Sequence, residues 1–207
     1  MRYLPTGNWM QKADAHTIHE IGIPSLVLME RAALGIAEVI KSKVLKNKKI
    51  LIVCGSGNNG GDGFAIARLL HDENYSVGIA FVGKTGSMSD ECKQQYCICK
   101  NIGISIETEI PDEEYGVIVD AIFGVGLCRE ISGKYASVIE CLNAMKGYKV
   151  AVDIPSGVSS LDGKILGIAF KADLTVSVQC EKLGTVLYPG KDFAGEVVAV
   201  SYTHLTL

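Results

Sequence analysis

Several features that would have settled a functional class at once are absent from this chain. It contains no run of 18 apolar residues that could span a membrane, and its opening segment MRYLPTGNWMQKADAH has no apolar stretch of the sort a secretory leader needs. No basic arm or stripe is present. The 20 Lys and Arg set against 23 Asp and Glu leave a net charge of −3, which provides no field for nucleic acid. Seven cysteines, an odd number at no framework spacing, read as reduced thiols. Cys92, Cys97 and Cys99 have no fourth ligand nearby, so they are expected on a helix rather than around zinc. His16 and His19 lack the H-E-x-x-H order and belong to a solvated helix face, and Ser156 has no G-x-S-x-G elbow around it. There is no internal repeat, linker or low-complexity tract. A soluble, cytoplasmic protein with neither nucleic acid nor membrane as partner is the expectation.

With 48% hydrophobic and 21% charged residues, 207 residues can bury a full core. Apolar periodicity predicts helices over 8–21 and 24–45, then strands and helices in alternation. The strands fall at 49–54, 76–82, 104–107, 116–120, 148–152, 173–178 and 195–200, and the helices at 61–72, 88–101 and 134–145. Runs such as GVIVD and KVAVD are apolar nearly throughout, as in strands buried on both faces. The expected fold is α/β: a Rossmann-like three-layer αβα sandwich with a mostly parallel central sheet and an N-terminal helical arm. Residues 1–200 form the domain. The terminal SYTHLTL, 201–207, is expected to be an irregular tail, from a truncated or mis-assembled end.

The segment VCGSGNNGGDG, residues 53–63, holds five glycines directly behind an apolar strand and ahead of a helix. Glycines at 55, 57, 60, 61 and 63 permit positive φ and close backbone approach, and the helix N-terminus favours an anion. Gly55, Gly57 and Gly60 satisfy G-x-G-x-x-G. An ordinary dinucleotide site wants an acid at the end of the next strand, and here that strand runs into Lys84 and Thr85. Asn58, Asn59 and Asp62 therefore matter more than the glycines, since a plain phosphate cradle needs only backbone. Helix capping and tolerance of turn conformations are the bland account of these three. The match of Gly78, Gly83, Lys84 and Thr85 to a phosphate loop is coincidental, because the residues between are a strand.

Two further strands end in polar residues. Asp120 closes GVIVD ahead of AIFGVGL, and Asp153 closes KVAVD ahead of Ile154-Pro155-Ser156-Gly157. In a parallel sheet these ends share one crevice with Asn59 and Asp62, which makes an active site. Turn capping explains either aspartate singly, but burying several carboxylates without use is costly. Asn59, Asp120 and Ser156, one charge with neutral oxygens, also suit a hard monovalent cation.

NNGGDG after a strand, VDAIFGVGL and VDIPSG, in that order, closely resemble the YjeF N-terminal domain, the NAD(P)H-hydrate epimerase family. The likeness runs from SLVLMERA to KLGTVLYPGKDFAGEV, almost the whole chain. It implies interconversion of the R and S forms of NADHX and NADPHX, the C6-hydrated nicotinamide cofactors, as a metabolite-repair isomerisation. By motif, Asn58, Asn59, Gly60, Gly61 and Asp62 would hold substrate, with Gly124, Val125, Gly126, Leu127, Cys128, Arg129 and Glu130 lining it. Cys128-Arg129-Glu130 departs from the family pattern of an Arg followed by an apolar residue or proline. Asp153 would touch the reacting end and act as the catalytic proton carrier, with Asp62 second. Asn59, Asp120 and Ser156 would bind one K+ per subunit. A homodimer is implied, as is a fused or separate ATP- or ADP-dependent dehydratase as partner. Two competing readings are a non-catalytic nucleotide-binding scaffold of the same fold and an NAD-dependent oxidoreductase.

Overall fold

A computed structural model describes Leu4 and residues 7–201. Six residues of the expected tail, 202–207, lie outside the described residues, as do five of the first six. Two helices come first, α1 (Gly7–His19) and α2 (Ser25–Lys43). Pro24 precedes α2 with φ −57, pre-set for a helix start. Leu28, Met29, Ala32, Ala33, Ile36, Ala37 and Ile40 are its buried positions, one stripe at helical spacing that packs on the sheet layer.

Then follow β1 (Ile50–Cys54), α3 (Asn58–Asp72), β2 (Val77–Phe81), α4 (Asp90–Asn101), β3 (Ile106–Glu107) and β4 (Val117–Ala121). The rest is α5 (Lys134–Ala144), β5 (Tyr148–Val152), β6 (Leu174–Val178), α6 (Lys191–Ala194) and β7 (Glu196–Val200). Sheet order is β3-β2-β1-β4-β5-β6-β7, and every neighbouring pair is parallel. The expected αβα sandwich is therefore present, with its sheet wholly rather than mostly parallel. Alternation along each strand divides the core. Ile50, Ile52, Cys54, Val117 and Val119 face α2, α3 and α4, whereas Leu51, Val53, Ile118 and Ala151 face Ile139 and Leu142 of α5. One helix does not cover that second face. The irregular crossover between β5 and β6 completes it, with Phe170 fully buried beneath it.

The chain reverses its direction of travel across the sheet between β1 and β4, so a crevice opens at the carboxyl ends of those strands. Here the structure corrects two expectations. The helix begins at Asn58 rather than 61, so Asn58, Asn59 and Asp62 stand in its first turns and not in the preceding loop. Gly57 closes the turn in an extended conformation, φ −86, and its carbonyl already accepts from Gly61 N at 3.1 Å. None of the five glycines adopts positive φ. For four of them, all but Gly57, the reason is proximity: a Cβ on Gly55 would lie 2.1 Å from the Ile122 carbonyl oxygen, and one on Gly60 would lie 2.0 Å from the Gly55 oxygen.

The other sequence expectations for this region hold. Gly78 to Phe81 is strand, and only a single 3-10 turn, Thr85–Ser87, follows Lys84. Cys92, Cys97 and Cys99 lie on α4, and all seven cysteines are free thiols. His16 and His19 are exposed on α1.

Gly60→Ala is expected to cost about 3 kcal/mol in urea unfolding, because backbone oxygen cannot move aside as a side chain can. Gly57→Ala, whose Cβ would meet nothing within 4 Å, is expected to stay within about 1 kcal/mol of wild type.

Candidate functional site

A cavity of about 780 Å³ occupies the crevice, within the roughly 300–1,000 Å³ usual for small-molecule sites. Its floor is the start of α3, with Gly57, Asn58, Asn59 and Asp62. One wall is the loop after β4, from Ile122 to Arg129, and Asp153 enters from the end of β5. The opposite wall comes from the helical arm: Asp14 and Ile18 of α1, and Ser25, Leu28, Met29 and Ala32 of α2. Sequence reasoning gave the arm no part in the site. Its motif-free amphipathic pattern signals only that α2 packs, not what its rim residues face.

Of the residues expected to touch substrate, Asn58, Asn59, Asp62, Gly124, Val125, Gly126, Leu127, Cys128, Arg129 and Asp153 line this cavity. Gly60 and Gly61 are buried in the first turn of α3, behind its floor. Glu130 is exposed and outside the lining.

Asp120 and Ser156 are buried and bonded to one another. Ser156 Oγ donates to Asp120 Oδ1 at 2.7 Å, and Ser156 N to Oδ2 at 2.8 Å. Ile122 N donates to Oδ1 at 3.1 Å, while Phe123 N donates to Ser156 Oγ at 2.9 Å. The loops after β4 and β5 are thus tied through one carboxylate. Burial pushes the Asp120 pKa up to about 6, against the lowering effect of the Ser156 bonds. Asn59 is 8% exposed, and its Nδ2 has no protein partner. A Cβ on Gly124 would come within 3.3 Å of Asn59 Oδ1, so the amide lies against the loop that Asp120 and Ser156 anchor. The Asn59 Oδ1, the Asp120 carboxylate and the Ser156 hydroxyl form an oxygen donor set of the kind a hard monovalent cation takes, whereas the orphaned Nδ2 is a donor and ligates no cation.

Asp153 has φ +69, a left-handed conformation unusual outside glycine. Its surroundings hold it there. Asp153 N donates to Val176 O at 2.8 Å, Ser177 Oγ donates to Asp153 O at 3.0 Å, and Val178 N donates to Oδ1 at 3.0 Å. Lys182 Nζ forms a salt bridge with the same Oδ1 and donates to Val178 O at 2.6 Å. This lysine, 1% exposed, was not singled out in the sequence. Lysine usually marks surface, and only the packing after β6 shows that this one is inside. Asp62 opens on the same cavity and is half-buried, with protein packed closely around its carboxyl. That burial, followed by the charges of Asp153 and Asp14, pushes its pKa well above the carboxylate range, and Lys182 opposes the shift.

At the end of β2, Lys84 N donates to Ser56 Oγ at 2.8 Å, and Ser89 N to Ser56 O at 2.9 Å. The place where a dinucleotide fold would present a ribose-binding acid is here a serine latch onto the glycine turn.

Residues 25–184 match a family model described as YjeF-related protein N-terminus. A protein named NAD(P)H-hydrate epimerase from Limosilactobacillus fermentum is 43% identical over 196 residues, covering 93% of each chain. One of the same name from Oenococcus oeni is 41% identical over 186 residues, covering 89% of each. Among solved structures, yeast ynu0, YNL200c, superposes with a TM-score of 0.82 over 96% of this chain and 88% of that one. Its identity is 20%, so this likeness supports the fold alone.

The Asp62 shift has a measurable consequence. A carboxyl whose folded pKa is raised keeps its proton when the unfolded chain has released it, so stability is full below about pH 4 and falls as pH rises toward the folded pKa. Wild type is expected to lose stability over that range relative to Asp62→Asn, which has no charge to bury. Urea unfolding of both proteins from pH 4 to pH 8 checks this; parallel curves would mean that Asp62 ionises at no cost.

Proposed function

The chain belongs to the YjeF-related N-terminal family, and from that premise we propose that it interconverts the R and S epimers of NADHX and NADPHX at nicotinamide C6. It is an isomerase of metabolite repair, the activity named for its relatives. The observation that carries the reading is a pair of carboxyls in unlike settings, Asp153 against an ammonium and Asp62 desolvated with no hydrogen-bond partner among the described residues, both on one cavity. Pairs of this sort divide acid from base work.

In the hydrate, C6 bears both the ring nitrogen and a hydroxyl, so it is a hemiaminal carbon. Protonation of the hydroxyl lets it leave as water, and the nitrogen lone pair forms an iminium. Water then adds to the opposite face and gives up a proton, so atoms and charge balance over the cycle. Cleavage of C6–N1 to an aldehyde, rotation and reclosure reach the same product. Either route needs a group that gives and takes a proton. Asp153 fills that role at the reacting end, and Asp62 holds the second proton. The exposed N–H groups at the start of α3 suit the pyrophosphate, and the loop from Gly124 to Arg129 lies along the ligand.

One K+ per subunit is assigned to Asn59, Asp120 and Ser156. Such an ion supplies fixed positive charge that steadies the loops after β4 and β5. The resemblance further supports a single epimerase domain over residues 1–200, a cytoplasmic homodimer, and a fused or separate ATP- or ADP-dependent dehydratase as partner. No helix among the described residues is long and apolar enough to cross a membrane.

Starting from one resolved epimer, the wild-type protein is expected to produce the other well above the uncatalysed rate. Asp153→Ala should lose about 10²- to 10⁴-fold in kcat while still binding substrate. Wild-type turnover in that variant would remove Asp153 from the chemistry. Replacing sodium by potassium at constant ionic strength is expected to raise Tm by about 3 °C, the shift that roughly 1 kcal/mol produces at this chain length. Asn59→Ala, which breaks no protein hydrogen bond of the Nδ2 group, should abolish that difference in a melting experiment.

A further inference from the structure

Lys182 stands outside the motifs that mark the site, yet it is among the most deeply buried side chains of the protein. A lysine is rarely taken out of water unless it is paired, so the partner it meets there is informative. That partner is Asp153. The backbone around the pair is bent to make the meeting possible: Asp153 and Gln179, at the ends of the adjacent strands β5 and β6, both have left-handed φ, +69 and +65. Two such residues are strained and persist only where their surroundings over-determine them. The lysine backbone is fixed as well, since its carbonyl accepts from Thr185 N at 3.1 Å and Thr185 Oγ1 at 2.9 Å.

We propose that Lys182 is a positioning residue for the epimerisation, holding the Asp153 carboxylate by Oδ1 as the proton acceptor and so leaving Oδ2 to the ligand. The proposal rests on Asp153 being the proton-transferring group. Both contacts that Asp153 receives from side chain and backbone donors at this end, from Lys182 Nζ and Val178 N, fall on Oδ1. The charges around it leave the lysine a distinct part. Asp62 from α3, Asp14 from α1 and the Cys180 thiol beside β6 interact with this group as acids, and Glu91 of α4 and Arg129 of the loop after β4 line the same cavity. Without the ammonium, Asp153 would lose its one cationic contact among the described residues while facing Asp62. Two carboxyls would then compete for one proton, and neither would keep a defined role.

A purely structural lysine would leave a different mark from a positioning one, and the pH profile separates them. Lys182→Met in the full chain is expected to lower kcat about 10²-fold with KM within about threefold of wild type. The acid limb of its kcat/KM profile should move up by about one pH unit, because a carboxylate deprived of a cation releases its proton at higher pH. Lys182→Arg, which keeps the charge, should return the limb to its wild-type place even where kcat recovers only in part. Thermal melts with and without NADPH monitor folding, and Lys182→Gln, able to bond Val178 O, replaces the Met variant if that one does not fold. A wild-type profile in the neutral variant overturns the proposal. So does a loss of kcat with the limb unmoved. Full activity in Asp153→Asn would instead overturn the assignment of Asp153 itself, whatever Lys182 does.

Discussion

The site depends on one backbone contact, the approach of the Gly55 turn to the Ile122 carbonyl where β1 and β4 end side by side. No side chain fits between them. The start of α3 is drawn against the sheet by the same economy of atoms, because Gly60 lies on the Gly55 oxygen and Gly63 on Ala121 and Cys54. This close seating brings the helix N-terminus, with Asn59 and Asp62, to the floor of the crevice. It also fixes where the loop after β4 can run. Asp120 then ties that loop to the turn after β5 through Ser156, and three strand ends become one surface.

Electrostatics follow from the same geometry. The carboxyls near the crevice have no basic field to share, so their individual settings decide what each can do. Asp120 spends its oxygens on backbone and serine donors, and Asp153 spends one on Lys182. Asp62 has neither arrangement, and burial governs it. Proximity to Asp153 strengthens that effect. Three aspartates thereby acquire three different characters, and the two that line the cavity, Asp62 and Asp153, are the unlike pair on which the proposed proton transfer rests.

Much of this was legible beforehand. The alternating elements follow from periodicity, with helix and strand bounds off by a residue or two except at α3. That start was misplaced because glycine-rich sequence looks like loop, whereas here tertiary contact compels small residues inside a helix. Glycines in a turn suggest conformational freedom, whereas here none of the five has positive φ and four of them, all but Gly57, serve close approach. Asp120, Asp153 and Ser156 could be named from the chain because parallel strands buried on both faces end in polar residues only where something is held. Asp14, Met29 and Lys182 could not. Asp14 and Met29 line the cavity and Lys182 acts on it through Asp153, each from an element whose own pattern reports only an apolar face or a charged loop.

Sequence by itself determined the alternation of elements, the parallel sheet and the strand ends that bear chemistry, since these are written in spacings of two to four residues and in short motifs. Tertiary structure alone decided which side chains confront one another: Lys182 with Asp153, the arm with the loop after β4, Ser156 with Asp120. Those pairings join residues 29 and 36 positions apart, and more across the cavity. No local pattern encodes them, because they arise only when strand order brings distant chain ends to one edge of the sheet.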